Sequence, residues 1–198
     1  MHDLGRNEDR LRGTYEFPFE FHHIDNSHPR YVMSYHWHVE CEIMRVLQGT
    51  LTVTLDEKSF TAKAGDVIFV NSGVLHSGIP QDCIYQCIVF DMNMFLKFNS
   101  VCTEYMQKIS HQELLIYHHF TEKQPDIQRA VNSLFDSFWQ KKPGYELVVF
   151  GQFYHFFGLV FGNHYYLESL RKTRRDYKRI VQLKQVVEFI EKNYASPI

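Results

Sequence analysis

The period of the hydrophobic positions changes along this chain. From Tyr35 to Val89, apolar and polar residues alternate every second position in short runs: "HWHVECEIMRVLQG", "LTVTLDEKSFTAKAG", "DVIFVNSG", "VLHSGIP" and "IYQCIVFD". Breaks fall at Gly49, Asp56-Glu57, Gly65, Gly73 and Pro80. Alternation sends successive side chains to opposite faces of a strand. Short strands with glycine turns predict a sandwich or a small barrel. Upstream, "YEFPFEFHHID" predicts one more strand, "HPRY" a turn, and residues 1–14 a polar tail.

Beyond Asp91 the period lengthens. Ile127, Val131, Leu134 and Phe138 recur at helical spacing, and Pro143-Gly144 stops that helix. "YELVVFGQFYHFFGLVFGNHYYL" is apolar almost all round and predicts a helix packed between other elements. Its arc Leu147, Phe150, Phe153, Tyr154, Phe157, Val160 and Phe161 suits covering a sheet and meeting a second subunit. Glycines 151, 158 and 162 allow close approach of a neighbour. Ile180, Leu183, Val187, Ile190 and Tyr194 mark an amphipathic helix ended by Ser196-Pro197. Its place at the carboxyl end reads as the opening of a further domain.

Composition narrows the classes. The 198 residues are 44% hydrophobic and 16% aromatic, enough for one good core and incompatible with chain-wide disorder. A formal charge of -2 gives no overall basic footprint for nucleic acid. Between Arg171 and Lys184, however, seven Lys/Arg face one acid, Asp176. Such a stretch is a solvated face or linker, or a source of non-specific, salt-dependent affinity for DNA phosphates. Cys41, Cys83, Cys87 and Cys102 form no CxxC pair, and the charged start is unlike a signal peptide. With no run of 18 apolar residues, the expectation is a reduced, cytoplasmic protein whose cysteines are small core residues.

The candidate chemistry sits in the first strand run. His36, His38, Glu40 and Glu42 share one face if the strand is regular. Two imidazoles and a carboxylate can converge on a divalent cation, and His76 in "NSGVLHSG" is the natural fourth donor. Such a set suits Zn, Ni, Fe, Mn or Co without choosing among them. The same histidines can instead hydrogen-bond a ligand directly. Tyr35, Met44, Phe69, Tyr85 and Phe90 are candidates to line the pocket with Glu40. His22 and His23 suit strand pairing better than ligand contact, and Asp66 suits a turn better than catalysis.

These residues resemble the cupin superfamily. Its first motif, HxHx(3–4)Ex(6)G, is matched by His36, His38, Glu42 and Gly49. Its second, Gx(5)PxGx(2)Hx(3)N, is matched by Gly65, Gly73 and His76, with Asn71 in place of the proline and Pro80 in place of the last asparagine. The flanks narrow the likeness to the sensing domain of AraC/XylS-type transcriptional regulators, and "IVQLKQVVEFIEKNYASPI" is similar to the first helix of their helix-turn-helix domain.

The resemblance implies a mainly β fold with α: a cupin-like double-stranded β-helix, or jelly-roll barrel, over 15–95. It also implies a helical dimerisation and linker region over 96–178, and the first helix of a truncated DNA-binding domain over 179–198. It implies a non-enzymatic sensor that binds a small organic effector such as a sugar, forms a homodimer, and reaches DNA only through the missing domain. It further implies one divalent transition metal at His36, His38, Glu42 and His76. The competing expectation is a metal-dependent cupin isomerase or dioxygenase.

Overall fold

The computed structural model describes residues 6–7, 12–97, 101–168 and 186. Strands β1 (Arg6–Asn7), β2 (Phe19–Ile24), β3 (Met33–Trp37), β4 (Cys41–Leu55), β5 (Lys58–Lys63), β6 (Val67–Val70) and β7 (His76–Phe90) come first. A 3-10 turn, Met92–Leu96, leads to α1 (Thr103–Ser110), then to β8 (Leu114–Ile116) and β9 (His119–Phe120). Helices α2 (Pro125–Gln140) and α3 (Tyr145–Gly162) follow, and β10 (Tyr166–Glu168) pairs with β8. This is a cupin-like antiparallel sheet followed by a three-helix region, as the alternation and the motifs imply. The basic stretch and, apart from residue 186, the last helix expected from the sequence lie outside the described residues.

The sheet is built on two 15-residue strands, β4 and β7, paired antiparallel along their whole length. On their other edges β7 pairs β2 and β3, and β4 pairs β5 and β6. Two breaks expected from the sequence are corrected here. Gly49 does not end a strand: β4 runs through it, with register shifts between Val46 and Thr50. At φ +67° it adopts a backbone conformation suited to glycine, and a Cβ there would lie 2.2 Å from the carbonyl oxygen of Asp82. Pro80 does not end a strand either; it pairs with Leu51 inside β7. The β3 ladder stops at Gly78 and the β2 ladder starts at Tyr85. Pro80 therefore sits where β7 has a free edge, and its missing N–H costs no ladder bond.

Alternation along each strand sorts the core into two clusters. Met44, Val46, Ile68, Val70, Tyr85 and Cys87 belong to the barrel interior. Ile43, Val67, Phe69, Ile88 and Phe90 face the other way and pack against the helices. Phe153 of α3 stacks on Phe19 at 5.2 Å and lies 4.6 Å from Phe90; Phe156 stacks on Phe69 at 5.8 Å. Of the arc expected for α3, Phe153, Phe157 and Val160 are buried, and Leu147 is 80% exposed. Among the described residues, nothing lies within 4 Å of where a Cβ would stand on Gly151, Gly158 or Gly162.

One polar seam crosses between the layers. Arg45 of β4 donates from Nε to Gln86 at 2.8 Å, from Nη1 to Asn132 Oδ1 at 3.0 Å, and from Nη2 to Asp136 at 2.8 Å. Three residues from Glu42, the strand is thus tied to α2.

Candidate metal site

The run expected to be one regular strand is two. β3 ends at Trp37, a bend occupies residues 38–40, and β4 begins at Cys41. The loop of the second motif stitches this bend in place. Gly73 N donates to the His38 carbonyl at 2.8 Å, and Ser72 Oγ donates to that of Val39. Asn71, where the motif has proline, locks the same loop to β8 by donating to Ile116 O at 2.8 Å and accepting from Ile116 N at 3.0 Å.

The bend separates the two glutamates. Glu42 points into the barrel, 3.2 Å from His76 Nε2 and 3.5 Å from His38 Nε2. Glu40 is turned behind His38, its Oε2 3.7 Å from the far nitrogen, Nδ1, and it does not line the cavity. His36 and His76 meet because they are register partners across β3 and β7, with ring centroids 4.1 Å apart. Donor atoms of His36, His38, Glu42 and His76 all lie within 4.8 Å of one another.

The tautomers are fixed from behind. Nδ1 of His36 donates to Ser34 O at 2.8 Å, that of His38 to Glu40 O at 3.1 Å, and that of His76 to Val74 O at 2.8 Å. A carbonyl only accepts, so Nδ1 carries a hydrogen, and in the neutral ring Nε2 presents a lone pair. Nε2 of His38 and of His76 are buried and, among the described residues, have no hydrogen-bond partner. Imidazole nitrogens and a carboxylate oxygen therefore face one another at the floor of the barrel. This donor set is consistent with one divalent transition metal, which would satisfy all the donors at once.

Burial pushes the His36 imidazole down to about 4, helped by the neighbouring His76, so it is neutral and ready to donate near pH 7. Burial alone would raise the Glu42 carboxyl. The contacts with His38 and His76 outweigh it and hold the group well below the usual range. Burial first, then Glu42 nearby, pushes the Cys87 thiol well up, so it is a neutral neighbour.

Above the donors lies a cavity of about 280 Å³, lined by His36, His38 and Glu42; His76 is fully buried and does not line it. Tyr35 and Tyr85 line the cavity as expected from the sequence. Met44 does not, being sealed in the barrel core. Phe69 and Phe90 are corrected outright: their parity turns them to the helices. His22 lines the cavity, whereas His23 accepts from Gln86 at 2.9 Å and packs against Trp139. Arg12, His28, Arg30 and Cys87 line it without having been singled out. Asp66 is structural as expected, accepting from Lys63 N at 3.0 Å and lying 2.9 Å from His119 Nε2.

The expectation that this chain is not an enzyme is corrected by the donor group. Four residues with the ligand chemistry of a catalytic metal centre are preassembled beneath a cavity.

Comparison with known proteins gives the family. The AraC-like ligand binding domain matches residues 18–157. The chain belongs to this family. The chain is also 24% identical over 169 residues to an uncharacterized HTH-type transcriptional regulator, YdeC, of Bacillus subtilis (strain 168), covering 82% of this chain and 57% of that protein. The chain thus spans little more than half the length of that curated relative. Among solved structures, Bacillus subtilis oxalate decarboxylase, described with Mn(II) centres, aligns at 25% identity over 30% of this chain and 18% of its own, with a TM-score of 0.28. A Streptococcus pyogenes protein of unknown function aligns at 15% identity over 37% of this chain and 62% of its own, with a TM-score of 0.32. Likenesses this partial carry no argument about activity. Among the described residues, no helix is long and apolar enough to cross a membrane.

Proposed function

We propose that this domain is a metal-dependent cupin that binds and transforms a small organic molecule in the barrel cavity. The observation that carries the reading is the pair of buried, unpartnered Nε2 atoms of His38 and His76 facing Glu42. A bound divalent ion supplies Lewis acidity toward an oxygen of the ligand. The protein's own residues do the rest. Three carbonyl-anchored imidazoles hold the donors in place, and Glu42 adds negative charge. Tyr35 borders the entrance and Tyr85 forms a buried wall, excluding water from a bound molecule.

A second reading rests on the family match and on the regulator relative. In it the same cavity senses an effector, and turnover does not occur. The barrel (15–95) and the helical region (96–178) then belong to a dimeric regulator that reaches DNA through a helix-turn-helix domain opening at 179–198.

Metal analysis of untagged protein tests what both readings share. One ion per chain is expected, with affinity reduced more than about 100-fold in His76→Ala and in Glu42→Gln. Wild-type protein that binds no ion sinks the proposal. Screening metal-loaded protein against small organic molecules then separates the readings: product formation supports the enzyme, whereas saturable binding without product supports the sensor.

A further inference from the structure

Glu40 is kept out of the cavity, yet it is not left in water. Its side chain is 13% exposed, and Oε2 is buried with no hydrogen-bond partner among the described residues. That oxygen stands 3.7 Å from Nδ1 of His38. The same nitrogen donates to the Glu40 carbonyl at 3.1 Å, so one residue backs the ring with both its carbonyl and its carboxylate. The bend creates this placement. Residues 38–40 leave the strand, and Gly73 N and Ser72 Oγ pin the carbonyls of His38 and Val39. In a continued strand Glu40 would share the cavity face with Glu42.

The other two histidines differ. Nδ1 of His36 and of His76 donate to the carbonyls of Ser34 and Val74, and among the described residues no carboxylate lies within ion-pair distance of either nitrogen. Burying a carboxylate with no hydrogen bond is costly. The cost is offset when the ring beside it becomes more positive. Coordination through Nε2 does this, because it makes Nδ1–H a stronger donor. In return, a carboxylate behind a ligating imidazole raises the basicity of the ring toward the metal. The two effects are one coupling read from either end.

We infer that Glu40 is a positioning residue: from outside the cavity its carboxylate backs His38 and tightens the hold of that imidazole on a divalent ion. The inference deepens the metal-site reading and rests on it. Glu42 meets the ion from the cavity side and Glu40 acts through the ring, so two carboxylates from one short run of chain answer the two charges of a divalent ion.

Zinc titration, thermal unfolding and proton NMR of the full chain provide the test. Glu40→Gln keeps the shape and removes the charge. It is expected to bind zinc about tenfold or more weakly than wild type. Glu57→Gln, at the exposed β4–β5 turn, should leave zinc affinity unchanged. Without metal, Glu40→Gln should melt no lower than wild type, because a costly buried charge is gone. A residue that served packing alone would lower the melting temperature and the zinc affinity together, and that outcome overturns the inference. So does zinc affinity equal to that of wild type. In zinc-loaded wild type, the Nδ1 proton of His38 should resonate further downfield than those of His36 and His76. That comparison decides the matter if Glu40→Gln does not fold, and three equivalent resonances overturn the inference. Wild-type protein that takes up no zinc removes the metal reading and this inference with it. Zinc uptake indifferent to Glu40 removes this inference alone.

Discussion

At the scale of single residues, the site is defined by which nitrogen each histidine offers. Carbonyl acceptors behind His36, His38 and His76 fix that choice before any ligand arrives. The acid sensitivity of the metal-free protein follows. His36 titrates at about 4 when folded, against an ordinary value of 6.5, so the unfolded chain binds more protons between these values. The stability His36 contributes is complete above about pH 6.5 and is lost as pH falls through about 4. Glu42, also depressed, adds to the loss at the acid end of the window. A melting temperature that falls steadily from pH 7 to pH 4 is expected, and His36→Asn should flatten the upper part of the curve. The donors were legible in the sequence because a motif counts residues and tolerates a bend. Arg12 was not, since nothing in an isolated arginine before Gly13 says that a barrel will close over it. Glu40 misled for the opposite reason: its alternation with Glu42 is real in sequence, but the backbone between them is not a strand.

Secondary-structure elements depend on special backbone positions more than on the alternation itself. Gly49→Ala places a Cβ against the Asp82 carbonyl at a φ of +67°. A loss of about 1–3 kcal/mol is expected in denaturant unfolding, more if the bulge cannot shift. An unchanged unfolding midpoint would mean the bulge is not needed. Hydrophobic parity located the strands and the α2 stripe Ile127, Val131, Leu134 and Phe138, all four buried. It could not locate the continuity of β4 and β7, because glycine and proline read as punctuation while pairing and edge position make them tolerable. The same parity could not assign Phe69 and Phe90 to the helix side, since both walls of this sheet are apolar.

For the whole molecule, two cores separated by one sheet imply separable effects. Phe153 packs near Phe19, Phe90, Phe95 and Phe157 and belongs to the helix-side cluster rather than to the barrel interior one. Phe153→Ala should cost about 3–5 kcal/mol of stability. Zinc affinity of the folded variant should stay within about threefold of wild type. Chemical denaturation and zinc titration of one preparation check both, and a large fall in zinc affinity would show that the two cores are coupled.

The donor group also has a topological consequence. His36 and His76 bracket a stretch of chain that contains all of β4, β5 and β6. An ion held by both ends would act as a removable cross-link, closing that stretch into a loop inside the native state. Chelation would then be felt as a loss of kinetic resistance, with proteases gaining access to half the barrel through its opened seam long before the helix layer lets go.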